Sequence, residues 1–253
     1  MVDLDLKVFK SREELYAKTA LALVKKLGEL SEYRARIHLG LSGGSVATEL
    51  LPKVADIMEK HPEAWGHWSP VHVWMVDERY VELDSPDRSD SIIERELTSK
   101  FDVFTLHRPG TPSTTSSLKE AVDEYTQEMI RVYSVSTLVD PRSIALDLAI
   151  LGMGPDGHFA SLFPSHDTLN RGGLFLFEKD SPKPPSERIS MTLPLLRRSR
   201  LSWFVVSGAD KATMFAHALQ GANFREVPAA SMNQVGTTWW VDEDAASQID
   251  RLV

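Results

Sequence analysis

The chain contains no cysteine. Disulfides, thiol nucleophiles and cysteine-built zinc sites are therefore excluded, and the absence fits a reducing compartment. Long apolar runs are missing too, since nothing approaches the roughly 20 residues needed to cross a bilayer. The first residues, MVDLDLKVFKSREE, carry acids at Asp3 and Asp5 and lack the basic-then-apolar order of a signal peptide. A surplus of positive charge is also absent. With 36 acidic and 28 basic residues the net charge is −8, which speaks against a nucleic-acid surface. The expectation is a cytoplasmic protein with no membrane and no nucleic-acid partner, able to draw a small anionic substrate through local basic groups.

What is present reads as folded. The 253 residues are 42% hydrophobic and 25% charged, enough for a sizeable core and too apolar for disorder. Strand-like apolar runs alternate with helix-like segments, the pattern of an α/β layered fold. Leu4, Leu6 and Val8 alternate as a first strand; Ser11 with Glu14 forms a capping box for a helix carrying Leu15, Ala20, Leu23, Val24 and Leu27. Further strands are expected over residues 37–41, 71–76, 146–151 and 201–207, and a short last one at 239–241. Helices are expected over 91–100 and 118–135, after Ser45, from Asp210, and at the C-terminus. Residues 105–117 read as a loop, and 164–187, rich in proline and serine, as a long irregular excursion suited to a lid. No linker divides the chain, so one domain is expected.

Four polar or glycine-rich segments follow strands: 42–45, 77–79, 152–158 and 207–211. In a parallel sheet all four fall at the carboxyl edge, where α/β folds bind ligands. The most informative is LGMGPDGHFASLFP at 151–164. It leads from a strand through a glycine-rich turn to His158, expected in the first turn of a short helix with Asp156 as N-cap. His158 is the expected general base, because a neutral imidazole can deprotonate water near pH 7. At position N2 the positive helix end would disfavour its charged form. Asp156 either orients His158 or the substrate, or caps the helix.

Two short patterns compete for the same residues. Residues 152–157 match G-x-G-x-x-G, with Glu178 about twenty residues on. Pro164, however, leaves too little room for a crossover helix, and His158 would have no role, so no nicotinamide cofactor is expected. Residues 40–44 match the nucleophile elbow G-x-S-x-G, yet an elbow so early in the chain does not suit an α/β-hydrolase. A phosphate cradle fits better: Gly43 and Gly44 let the backbone approach an anion, beside Ser42, with Ser45 capping the helix. A plain turn is the bland alternative.

Taken together, LSGGS at 41–45, VDERYV at 76–81, LGMGPDGHFASLFP at 151–164 and RISMTLP at 188–194 resemble the 6-phosphogluconolactonases of the sugar-phosphate isomerase/deaminase superfamily, over most of the chain and in order. Related deaminases usually carry IAFNEP after DGH; FASLFP here selects the lactonase branch. The resemblance implies a Rossmann-like, mostly parallel sheet with helices on both faces. It implies hydrolysis of a phosphorylated sugar lactone in the pentose phosphate pathway, with no metal and no organic cofactor. A monomer or weak homo-oligomer is expected. The family often has Asn near Asp90, so no role is carried onto Asp90.

On this reading the substrate-binding set is Ser42, Gly43, Gly44, Ser45, Asp77, Arg79, Gly154, Gly157, Arg188 and Lys211, with His158 and Asp156 catalytic. Asp77 would accept hydrogen bonds from sugar hydroxyls, and Arg79 would contact the phosphate or the oxyanion. Arg188 and Lys211 are further cations, Lys211 at a helix start; Arg88 is a weaker candidate. The other seven histidines (38, 61, 67, 72, 107, 166 and 217) show no ligand spacing and read as structural or surface. The rivals are an amino-sugar deaminase or isomerase, a non-catalytic sugar-phosphate sensor, and an esterase using Ser42.

Overall fold

The computed structural model describes residues 5–134 and 139–249; Asp3, Leu4 and Val135 of the expectations above lie outside them. Strand β1 (Asp5–Phe9) leads into α1 (Arg12–Ser31). Ser11 caps α1 by accepting from the Glu14 amide at 3.2 Å. Glu14 reaches back to the Lys10 amide at 3.1 Å, one residue earlier than the reciprocal bond of a capping box. The five helix positions expected to be apolar are all buried.

Strands β2 (Ile37–Leu41) and β3 (Val71–Met75) flank a π-helical turn (Val46–Leu50) and α2 (Leu51–Lys60). Then follow β4 (Asp77–Arg79), α3 (Asp90–Ile93), β5 (Phe104–His107), α4 (Leu118–Tyr133) and β6 (Leu148–Leu151). The rest of the chain forms β7 (Phe175–Glu178), β8 (Arg188–Met191), α5 (Leu193–Arg197), β9 (Leu201–Val206), α6 (Ala212–Leu219), β10 (Thr237–Asp242) and α7 (Glu243–Ala246).

Seven strands pair in the order β1-β10-β9-β6-β2-β3-β5, all parallel, flanked by helices. The central strands β2 and β6 are buried along their whole length, as a sheet covered on both faces requires. The fold is the expected α/β class.

Three expectations need correction. Residues 104–107, placed mostly in a loop, form the edge strand β5, paired with β3 from Phe104↔Val71 to His107↔Trp74. Residues 77–79 do not simply end the third strand but form β4 in a second, antiparallel sheet of order β4-β8-β7. The 164–187 excursion contributes β7 to that sheet and is not wholly irregular.

Candidate active site

From the adjacent pair β2 and β6 the strand order runs outward both ways, to β3 and β5 on one side and to β9, β10 and β1 on the other. The crevice beyond the carboxyl ends at such a switch point is where open α/β sheets bind ligands. A cavity of about 520 Å³ lies there. Ser42, Gly43, Gly44 and Ser45 reach it from β2, Asp77 and Arg79 from β4, and Gly154 and His158 from β6. Arg188 enters from the second sheet and Lys211 from the segment after β9. Gly157 and Asp156 do not line it. Gly157 instead turns the loop at φ 80° against Val227.

The expected short helix at His158 is absent. Gly157 and Ala160 both take left-handed backbone, at φ 80° and 51°, and this breaks a right-handed helical path. The loop closes on itself instead: the Gly157 amide donates to Gly154 O at 3.0 Å and the Gly154 amide to His158 O at 2.8 Å. No helix dipole therefore acts on His158, and Asp156 is no helix cap. Its Oδ1 accepts a short hydrogen bond from His158 Nδ1, which fixes the ring and leaves Nε2 as the basic nitrogen. Burial pushes the Asp156 carboxyl up, but its bonds and charge interaction with His158 outweigh this and hold it below its ordinary value. Gly154 packs against the imidazole so closely that a Cβ there would lie 2.1 Å from His158 Cε1.

Ser45 also departs from expectation. It has helical backbone and its side chain makes no cap bond, because an N-cap oxygen reaches the first amides only from an extended residue. The first turn's bond runs from the Thr48 amide to Gly44 O at 2.9 Å.

The cations differ in how they are held. Arg79 Nη1 donates to Asp87 O at 2.9 Å and to Ser89 Oγ at 3.0 Å, while its buried Nε has no hydrogen-bond partner among the described residues. The turn at Gly43 closes onto this group, since a Cβ there would lie 2.2 Å from Ser89 Oγ. Arg188 donates through Nε to Pro185 O at 2.7 Å and through Nη2 to Lys183 O at 2.9 Å. Burial and the neighbouring Arg79 charge lower its pKa. Lys211 Nζ donates to Ser207 O at 2.8 Å, and burial first, then nearby Arg12 and Lys183, lowers its pKa. In both, burial is the first cause, and nearby carboxylates, Asp77 for Arg188 and Asp210 for Lys211, act in the opposite direction. Arg88 takes no part: it is fully buried, bonded to Asp90 Oδ2 at 2.7 Å.

Sequence reading passed over several neighbours. Ser89, Ser161, Lys183 and Asp210 also line the cavity. Ser161 lies inside the 151–164 motif and Ser89 beside Arg88, so proximity to motifs was the available signal; Lys183 sits in the excursion and gave none. Glu78 was read only as part of DER. It accepts from the amides of Arg79, Ser89 and Asp90, each at 2.8 Å, and burial pushes its carboxyl up to about 7. Among the described residues no group of three or more His, Cys, Asp or Glu is placed to hold a metal ion, and no helix is long and apolar enough to cross a membrane.

The model of the family "Glucosamine-6-phosphate isomerases/6-phosphogluconolactonase" matches residues 10–240. The 6-phosphogluconolactonase of Mycobacterium tuberculosis is 31% identical over 246 residues, covering 96% of this chain and 98% of that protein. The human 6-phosphogluconolactonase is 31% identical over 253 residues, covering 96% and 93%. The crystal structure of 6-phosphogluconolactonase from Thermotoga maritima superposes with a TM-score of 0.77 at 26% identity, covering 95% of this chain and 99% of that one. Sequence and fold agree over nearly the whole length, and the chain belongs to the glucosamine-6-phosphate isomerase/6-phosphogluconolactonase family.

Proposed function

We propose that the protein hydrolyses 6-phospho-D-glucono-1,5-lactone to 6-phosphogluconate, the lactone-opening step of the oxidative pentose phosphate pathway, in the cytoplasm. The observation that carries this reading is His158. Its Nδ1 is committed to Asp156, and its Nε2, with no partner among the described residues, belongs to a ring that lines a cation-rich cavity. Full-length similarity to proteins named 6-phosphogluconolactonase supports the substrate.

In the proposed reaction the 6-phosphate is held by the turn at Gly43 and Gly44 with Arg79, Arg188 or Lys211. His158 Nε2 takes a proton from water as the water oxygen attacks lactone C1. Backbone amides and a cation stabilise the tetrahedral oxyanion. Collapse breaks the bond from C1 to the ring oxygen, and the imidazolium returns its proton to that leaving oxygen, giving the 5-hydroxyl and the acid. Asp77 accepts a hydrogen bond from a sugar hydroxyl and sets the ring's orientation.

The test is lactone hydrolysis with substrate generated in place, for wild type and His158→Ala. The expected result is fast wild-type turnover that falls to the spontaneous rate in the variant. No acceleration by wild type refutes the assignment, and ammonia release from glucosamine 6-phosphate would then identify a deaminase.

A further inference from the structure

The His158 loop and the strand bearing Asp77 come from distant parts of the chain, and one side chain joins them. Ser161 follows the proposed base by three residues and is 1% exposed. Its Oγ donates to Asp77 Oδ2 at 2.8 Å, and its amide donates to Ser190 Oγ at 3.2 Å. Ser190 is the cross-strand partner of Asp77 in the β4–β8 ladder. The Ser190 hydroxyl gives its own proton to Met191 O at 3.0 Å, so towards Ser161 it can only accept. One residue thus grips both sides of a single rung. Ala160, at φ 51°, reverses the loop just before it, and the short bridge between Phe159 and Leu162 closes the turn around it.

The Asp77 carboxylate has no other hydrogen-bond partner among the described residues, and Asp77 lines the cavity. A carboxylate held at one oxygen has a fixed orientation and keeps the second oxygen for a ligand. We propose that Ser161 is a positioning residue that fixes the orientation of Asp77 and its reach from His158. This inference rests on the lactonase reading, in which a substrate anchored at its phosphate is aligned at Asp77 so that C1 meets the water activated by His158. When the Ser161 hydroxyl is removed, Asp77 turns freely and the alignment of C1 is lost. A misplacement on the order of 1 Å costs a rate on the order of a hundredfold.

The experiment is a double-mutant cycle with Ser161→Ala and Asp77→Ala. It is read twice, as kcat/KM for 6-phosphogluconolactone hydrolysis and as Kd for 6-phosphogluconate by calorimetry, with a melting curve for every variant. In the Asp77 background Ser161→Ala is expected to lower kcat/KM by roughly ten- to a hundredfold with the melting temperature retained. In the Asp77→Ala background the same change has almost no further effect. Ser161→Cys keeps the size and only a weak donor, and its activity falls between. An equal loss in both backgrounds makes Ser161 a packing residue and overturns the inference, as does no loss at all. A wild type that binds 6-phosphogluconate without accelerating hydrolysis refutes the proposed reaction, while the affinity cycle still decides the role of Ser161. A wild type that hydrolyses the lactone with additive variants refutes the role of Ser161 alone, and one that does neither refutes both.

Discussion

One polar cluster lies on strands β2, β3 and β5, and a second beyond the carboxyl ends of β2 and β3; they follow opposite rules. Beneath α4, His38, His72 and His107 are each tied to a protein partner. His72 Nδ1 pairs with His107 Nε2 at 2.9 Å, His107 Nδ1 with Glu128 Oε1 at 2.6 Å, and Trp74 Nε1 donates to His38 Nδ1 at 3.2 Å. The rings also stack, His107 on Trp74 at 4.0 Å and His38 on Tyr133 at 3.8 Å. Beyond the carboxyl ends of the same strands, Ser42 Oγ and Arg79 Nε are buried without partners among the described residues, and Asp77 has one oxygen bound. A buried polar group left unpaired costs free energy. The first cluster avoids that cost by internal pairing; in the second, under the proposed function, a ligand would relieve it. What sets His158 apart from the three histidines under α4 is thus the cavity its ring lines, not its residue type.

The sharpest break in this contrast is Asp156→Asn. An amide can hold the His158 ring with its NH2 group and stabilise the wrong tautomer. The expected loss is about a thousandfold in kcat with little change in melting temperature, measured by steady-state kinetics and calorimetry. A loss below tenfold would make Asp156 a turn-former only. The counterpart under α4 is His107→Ala, which removes the stack on Trp74 and strands His72 and Glu128. Its cost is about 3 kcal/mol of unfolding free energy, read by denaturant titration, with kcat within about twofold of wild type. A large loss of kcat with stability intact would show that the two clusters are coupled.

The same contrast explains what the sequence disclosed. Strand β2 was legible to the residue, because Ile37, Leu39 and Leu41 alternate along it and the strand enters a glycine turn. The convergence of four loops followed from a parallel sheet alone. The second sheet was not legible: β4 has three residues and β7 and β8 four each, too short for alternation to register. The helix expected at His158 failed because Ala160 adopts a left-handed conformation that only the surrounding contacts dictate. Arg188 lines the cavity, but its grip on the carbonyls of residues 183 and 185 is a tertiary contact with no local signature. Glu78 stayed hidden for the same reason, since two of its three amide donors come from residues 89 and 90.

Acidity separates the clusters most finely. Burial and the nearby His72 and His107 lower the pKa of His38 to about 3, whereas burial raises Glu78 to about 7. The folded state thus binds fewer protons than the unfolded one at His38 and more at Glu78, so the two slopes have opposite signs. The His38 contribution is present above pH 6.5, its unfolded value, and is lost as pH falls from there toward 3. The Glu78 contribution is present below pH 4.5 and is lost as pH rises through about 7. In wild type the two partly cancel over the shared interval, which is why a variant is needed. His38→Gln removes one slope and leaves the other. Denaturant titrations at pH 7 and pH 4.5 are expected to show the gap between wild type and variant closing by about 2 kcal/mol on acidification. A gap that stays constant with pH would mean that His38 takes up its proton in the folded protein as readily as in the unfolded chain, with the Tyr133 stack and the Trp74 bond rearranged around its charge.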